Sequence, residues 1–188
     1  MIILLIIIAI IVIFVLWLFI GGRNHLVRLS NGVDNAFAQI STQLQRRYDL
    51  IPNLVETVKG YAAHESSTFD KVTEARATAG KAIQSGSASD VQAAQDAMGQ
   101  ARLAINAVAE NYPDLKANQN FLQLQEELTS TENKVSFARQ AFNDAVMSYN
   151  NGIQVFPTVL IAGMFGYHKK DSFTLENDAA KEAPKVQF

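Results

Sequence analysis

From Ile2 to Ile20 every position is Ile, Leu, Val, Phe, Trp or Ala, with no charged, polar or helix-breaking residue. At about 1.5 Å per residue the run reaches roughly 28 Å, close to the ~30 Å hydrocarbon thickness of a bilayer. A transmembrane helix follows from this, and Trp17 sits near its downstream end, where aromatic rings favour the interface. Beyond Gly21-Gly22 the pattern turns amphipathic. Leu26, Leu29, Val33, Phe37, Ile40, Leu44 and Tyr48 recur at spacings of three and four, one face of a helix. The Gly pair permits a bend without requiring one. Pro52 disfavours helical geometry at Ile51 and lacks an amide donor. Asp49 and Pro52 therefore either begin a new helix or kink a continuous one ending near Ala63.

Three further helices are legible. Ser66 and Ser67, with Asp70 after them, resemble a capping signal for a helix that turns Phe69, Val72, Ala75, Ala79 and Ile83 inward and stops at Ser85-Gly86-Ser87. Ser89-x-x-Gln92 reads as a capping box before Val91, Ala94, Met98, Ala101, Ile105 and Val108. After the break at Tyr112-Pro113-Asp114, a seam from Phe121 to Phe156 holds the three-four alternation over about five heptads, coiled-coil-like. The period-two alternation of strands is missing. The expected fold is all-α: a single N-terminal transmembrane helix, then an elongated antiparallel bundle of four to five helices. Residues 1–22 form the anchor, 23–154 the bundle, and 155–188 an apolar membrane-proximal segment with a C-terminal tail.

Helix lengths carry the argument further. Residues 24–63 would reach roughly 60 Å and 120–155 roughly 54 Å, so with two shorter helices between them the last long helix returns toward the membrane. There the chain reads Val155 to Tyr167 without a charge, followed by His168-Lys169-Lys170. The stretch is too short to span. Phe156, Phe165, Tyr167, Lys169 and Lys170 are candidates for a membrane-surface or subunit contact, the lysines facing anionic headgroups. The alternative is that the segment folds over the bundle end as core.

Composition narrows the chemistry. All 16 Lys+Arg and all 18 Asp+Glu lie beyond the anchor, with a formal net charge of −2, so no basic face invites nucleic acid. Zero Cys removes disulfides, thiolate metal sites and thiol nucleophiles. The residues three before His25, His64 and His168 are Gly22, Tyr61 and Phe165, not the Glu of a di-iron bundle. Glu126, Glu127, Glu132 and Asp144 could suggest carboxylate ligands, but spread around the last long helix they read as its solvated face, some paired at i,i+4. With no phosphate loop, nucleophile elbow or HExxH motif, neither catalytic residues nor cofactors are expected. Arg46-Arg47-Tyr48-Asp49, beside Pro52, is the densest polar cluster: an acidic partner's dock, or residues that cap helix ends. Asn143, Asn150 and Asn151 can hydrogen-bond across the bundle and set register.

The run Gln43–Glu65, containing Arg-Arg-Tyr-Asp-Leu-Ile-Pro-Asn-Leu-Val, closely resembles the LemA family of bacterial membrane proteins. The likeness continues at Asn120–Leu128, Thr131–Asn133, Phe137–Asp144, Tyr149-Asn150, Phe156-Pro157, Gly166-Tyr167 and the closing Pro184-x-Val-x-Phe188. Phe37 and Phe142 stand where Trp and Tyr are common. The resemblance implies a membrane helix followed by a helical bundle, and no catalytic residues.

The expected function is a non-enzymatic scaffold in the bacterial inner membrane that self-associates as a homo-oligomer or docks other membrane proteins. The competing expectation is a sensor with an extracytoplasmic ligand-binding bundle. Too long for a signal-peptide core and without a basic n-region, Ile2–Ile20 is read as a retained anchor in the lipid bilayer. Arg23 and Arg28 just downstream favour the N-terminus outside and the bundle in the cytoplasm.

Overall fold

One helix, α1 (Ile2–Lys59), carries both the apolar run and the first amphipathic segment. At 1.5 Å per residue it is roughly 87 Å long. The computed structural model describes residues 1–85 and 87–173. Among these, α1 is followed by α2 (Ser66–Ser85), α3 (Ala88–Asn111), a single turn α4 (Pro113–Lys116), α5 (Gln119–Gly152) and α6 (Thr158–Phe165), with no strand. The chain is all-α, as its periodicity predicts. Gly86 and the closing Pro184-x-Val-x-Phe188 lie outside the described residues.

Neither expected interruption of α1 ends it. Pro52 sits inside the helix, half-buried, and deprives only the Tyr48 carbonyl of its partner. The buried stripe Leu44, Arg47, Ile51, Leu54 and Val58 runs straight past it, so tertiary packing holds the helix where local propensity would loosen it. Gly22 serves contact rather than bending: a Cβ there would overlap Ile161 Cδ1 of α6. The domain boundary expected between residues 22 and 23 falls within this one helix.

The α1–α5 and α2–α3 pairs make the most extensive helix contacts, and α1–α2 joins them. Many of the buried residues of α2 and α3 are alanines, Ala75, Ala79 and Ala82 on one and Ala94, Ala101 and Ala109 on the other, which suits a closely packed pair. Phe69 and Ile83, expected inward, are only partly buried, because Thr68 and Ala82 take the adjacent inward positions. The Ser89 capping box is not used. Helix α3 begins two residues earlier, on an N-cap Ser87 whose hydroxyl pairs with that of Ser89 at 2.7 Å. Helix α5 is capped by Asn118, whose side chain accepts from the Phe121 amide at 3.0 Å.

The levels of the helices against α1 divide the molecule. Lys59 lies over Phe69, Arg76 over Tyr48, and Phe37 shares a cleft with Ser87. The α2–α3 hairpin thus covers α1 from about residue 37 to its distal end. Nearer the anchor, the partners of α1 are the end of α5, α6 and the segment after it.

Candidate functional site at the anchor end of the bundle

Gly152 closes α5 where its missing side chain admits Leu29 of α1, whose Cδ1 a Cβ would overlap. Thr158 then joins two helices: its hydroxyl donates to the Gly152 carbonyl and lies 2.9 Å from that of Val155, satisfying acceptors that a helix end leaves open. Helix α6 ends on Gly166 at φ +70°, a left-handed conformation that suits glycine, and the Tyr167 amide donates to the Ala162 carbonyl at 3.0 Å.

Helix α6 has two apolar sides. Thr158, Ile161 and Ala162 are buried, Thr158 and Ile161 beside Gly22. The Phe165 ring lies 5.8 Å from that of Phe19, tilted against it, with the Arg23 guanidinium 5.1 Å above it. The other side is bare: Phe156 is 80% exposed, Leu160 62% and Met164 72%. Of the two expected lysines, Lys169 is exposed, whereas Lys170 donates to Asp34 at 2.9 Å and lies near Ser30. Tyr167 is half-buried, its ring 6.5 Å from Tyr149. One side of the segment is thus core over the bundle end, and the other side is open.

After α6 the chain turns back as a strap, residues 167–173, lying along α1 and α5. Asn150 donates to the Lys170 carbonyl at 2.9 Å and accepts from the Lys170 amide at 3.0 Å. Asn143 repeats the arrangement with Phe173, at 3.1 and 2.8 Å. The spacing makes this possible. Seven helical residues advance about 10.5 Å and three extended residues about 10 Å, so two carboxamides two turns apart meet every third peptide of the strap. The Tyr149 hydroxyl donates to the His168 carbonyl at 3.0 Å, and burial, with Tyr167 and Asp34 nearby, raises its phenol above the usual value. These asparagines set register, but against the strap rather than a neighbouring helix, and Asn151 is exposed. Asn150→Ala, which removes both bonds, is expected to cost about 1–3 kcal/mol of local stability and to raise hydrogen exchange at 168–173 without unfolding α2–α3. Unchanged exchange there would mean that packing alone holds the strap.

The polar cluster of α1 lies mid-helix, not at a helix end, because α1 continues through Pro52, so Arg46 and Arg47 meet no free terminal carbonyls. Arg46 reaches Glu127 at 3.5 Å in the open. Arg47 is only 3% exposed; its guanidinium lies 3.9 Å from Glu132, which also pairs with Arg102 of α3. Burial lowers the Arg47 pKa, Glu132 raises it and Arg102 lowers it. Tyr48 lies 4.4 Å beneath Arg76, and Asp49 accepts from Gln45 at 2.9 Å. Glu127 and Glu132 of α5 thus reach across to other helices instead of pairing along their own. Arg139, too, donates to Gln95 of α3 at 2.9 Å, and burial lowers its pKa.

Missed from the sequence were Asp34 and Phe173. Phe173 is buried against Phe142 at 5.1 Å, and its one available signal was being the only apolar residue between Tyr167 and Thr174. A cleft of about 600 Å³ opens beside it, lined by Phe37, Ser89, Gln92, Phe142, Lys169 and Phe173. Among the described residues no group of three or more His, Cys, Asp or Glu is placed to hold a metal ion.

Comparison with known proteins places this arrangement. A model of the LemA family matches residues 36–188. The chain is 27% identical to "Protein LemA" of Metamycoplasma hominis over 171 residues, 90% of this chain and 74% of that protein. It is 24% identical to "Magnetosome protein MamQ 2" of Paramagnetospirillum magneticum over 173 residues, and 23% identical to "Magnetosome protein MamQ" of Magnetospirillum gryphiswaldense. Each of these two alignments covers 80% of this chain and 64% of the relative, so the chain spans less than two thirds of their length.

Proposed function

The chain belongs to the LemA family, and from that premise we propose that it is a non-enzymatic scaffold of the bacterial inner membrane that self-associates or docks partner membrane proteins. It is a membrane-anchored helical protein: the apolar window of α1 is long enough to cross a bilayer and none of it is buried against the bundle. The observation that carries the scaffold reading is the continuity of α1. A single helix runs from inside the bilayer to the far end of the bundle, so the bundle is held upright as a stiff post. A receptor that signals through its anchor also needs a helix of this kind, but a scaffold uses the sides of the post.

Those sides carry unpartnered apolar groups. Leu122, Phe137 and Met147 are exposed on α5, and at 100° per residue they fall within about 80° of one another. Phe137, 73% exposed, borders a shallow groove with Gln39, Gln43, Lys134 and Ala141. This face of α5 is the proposed self-association surface. The cysteine-free chain makes the test direct. Phe137→Cys in native membranes should form a disulfide-linked dimer under mild oxidation, whereas a cysteine at exposed Glu74 of α2, outside this face, should not. A Phe137→Cys chain that stays monomeric, with the protein sedimenting as a monomer in gentle detergent, would remove self-association. The proposed orientation, with the bundle in the cytoplasm, is supported by Arg23, Arg28 and Lys169 clustering at the anchor end. Labelling of the same cysteine by a membrane-impermeant maleimide in intact cells would reverse it and favour the receptor reading, with the cleft beside Phe173 as the candidate ligand cavity.

A further inference from the structure

We propose that α6 is a second membrane-contacting element, seated in the boundary between headgroups and acyl chains, with Phe156, Leu160 and Met164 facing lipid. The inference rests on α1 being inserted, and the argument is one of depth. Ile2–Ile20 fills about 28 Å of a hydrocarbon layer about 30 Å thick. Helix α6 packs on α1 at Phe19, Gly22 and Arg23, level with the last turn of that span. Whatever surrounds α1 at this level also surrounds α6. That medium is the bilayer.

The chemistry of the segment agrees with the level it occupies. Between Gln154 and His168 there is no charged residue, and the bare side of α6 is as apolar as the anchor beside it. Polar groups at this depth must be satisfied within the protein. Thr158 meets that demand by donating to the Gly152 carbonyl at the end of α5, and the Gly166 turn does so for Ala162. Charges lie only at the rim: Arg23 covers the Phe165 ring, and exposed Lys169 stands where the chain leaves α6. Eight helical residues are too few to span, so the element lies in one leaflet. A second copy of the chain is the other apolar surface that α6 could meet. It is disfavoured because α6 would have to exchange one apolar neighbour for another with no hydrophobic gain.

Depth-dependent quenching of tryptophan tests the assignment. The full chain is placed in phosphatidylcholine–phosphatidylglycerol vesicles whose acyl chains carry bromine at shallow or deep positions. Trp17, the sole native tryptophan, reports insertion of the anchor. In a Trp17→Phe background, Leu160→Trp reports α6 and Phe137→Trp reports the bundle side. For a ring sunk roughly 5–10 Å into the boundary, Leu160→Trp emission should fall by about half with shallow bromines, with Phe137→Trp almost unchanged. Trp17 quenched but Leu160→Trp unquenched overturns the proposal; red-shifted emission then indicates water over α6, and blue-shifted emission a second copy. Trp17 unquenched in every vesicle overturns the anchor reading and the proposal with it.

Discussion

Phe142→Ala is expected to lower the unfolding free energy by about 3–5 kcal/mol, the largest effect of any single truncation considered. Phe142 is buried in α5 where three parts of the chain meet. Its ring lies 5.7 Å edge-on to Phe37 of α1 and 5.1 Å edge-on to Phe173 of the strap. Truncation removes both aromatic contacts and leaves a cavity opening toward the cleft between the α2–α3 turn and the strap. Urea denaturation of the full chain in micelles measures it, as a lower midpoint at unchanged slope. Phe142→Leu should recover at least half of the loss. Phe173→Ala should cost less and be non-additive with Phe142→Ala, since each removes the other's partner. A loss under about 1 kcal/mol would show that Phe37 and Phe173 collapse together and the junction holds without the ring.

How far the sequence leads can be seen at neighbouring residues. Leu26, Val33, Ile40 and Leu44 are spaced at multiples of the helical repeat, and all are buried. The stripe then drifts. Extending it to Tyr48 and extending it to Arg47 are equally periodic, and hydrophobicity favours the wrong one: Arg47 enters the core, and Tyr48 lies half-buried under Arg76. The counter-charge that faces Arg47 is Glu132, on a helix far along the chain, which no local pattern can show. Pro52 illustrates the same limit from the other side, a local rule overruled by packing on both flanks. The strap is hidden for a different reason. Residues 168–173 carry no periodicity, and their docking depends on peptide groups meeting Asn143 and Asn150, so only the receiving side chains leave a mark in the sequence. The return of α5 to the anchor was legible, because it follows from helix lengths alone.

The second large effect lies at the buried arginine, and there the two partners are not equivalent. Glu132→Ala is expected to cost about 2–4 kcal/mol, because it leaves the Arg47 guanidinium desolvated and beside Arg102 with no counter-charge. The figure is set below that of a fully enclosed pair because Glu132 itself is half exposed and water can partly replace it. Arg47→Met should cost less, about 1 kcal/mol or under, since it removes the charge together with its need for a partner and keeps the volume of the stem. The Nε of Arg47 is already buried without a hydrogen-bond partner, so the native residue carries a penalty that methionine does not. The decisive measurement is the double variant. If Glu132 mainly neutralises Arg47, then Arg47→Met with Glu132→Ala should be more stable than Glu132→Ala alone. Equal stability would assign the role of Glu132 to Arg102, the exposed tie between α3 and α5. In either case the Arg-Arg pair most visible in the sequence divides its labour: Arg46 pairs with Glu127 at the surface, and Arg47 is the charge around which α1, α3 and α5 are brought into register.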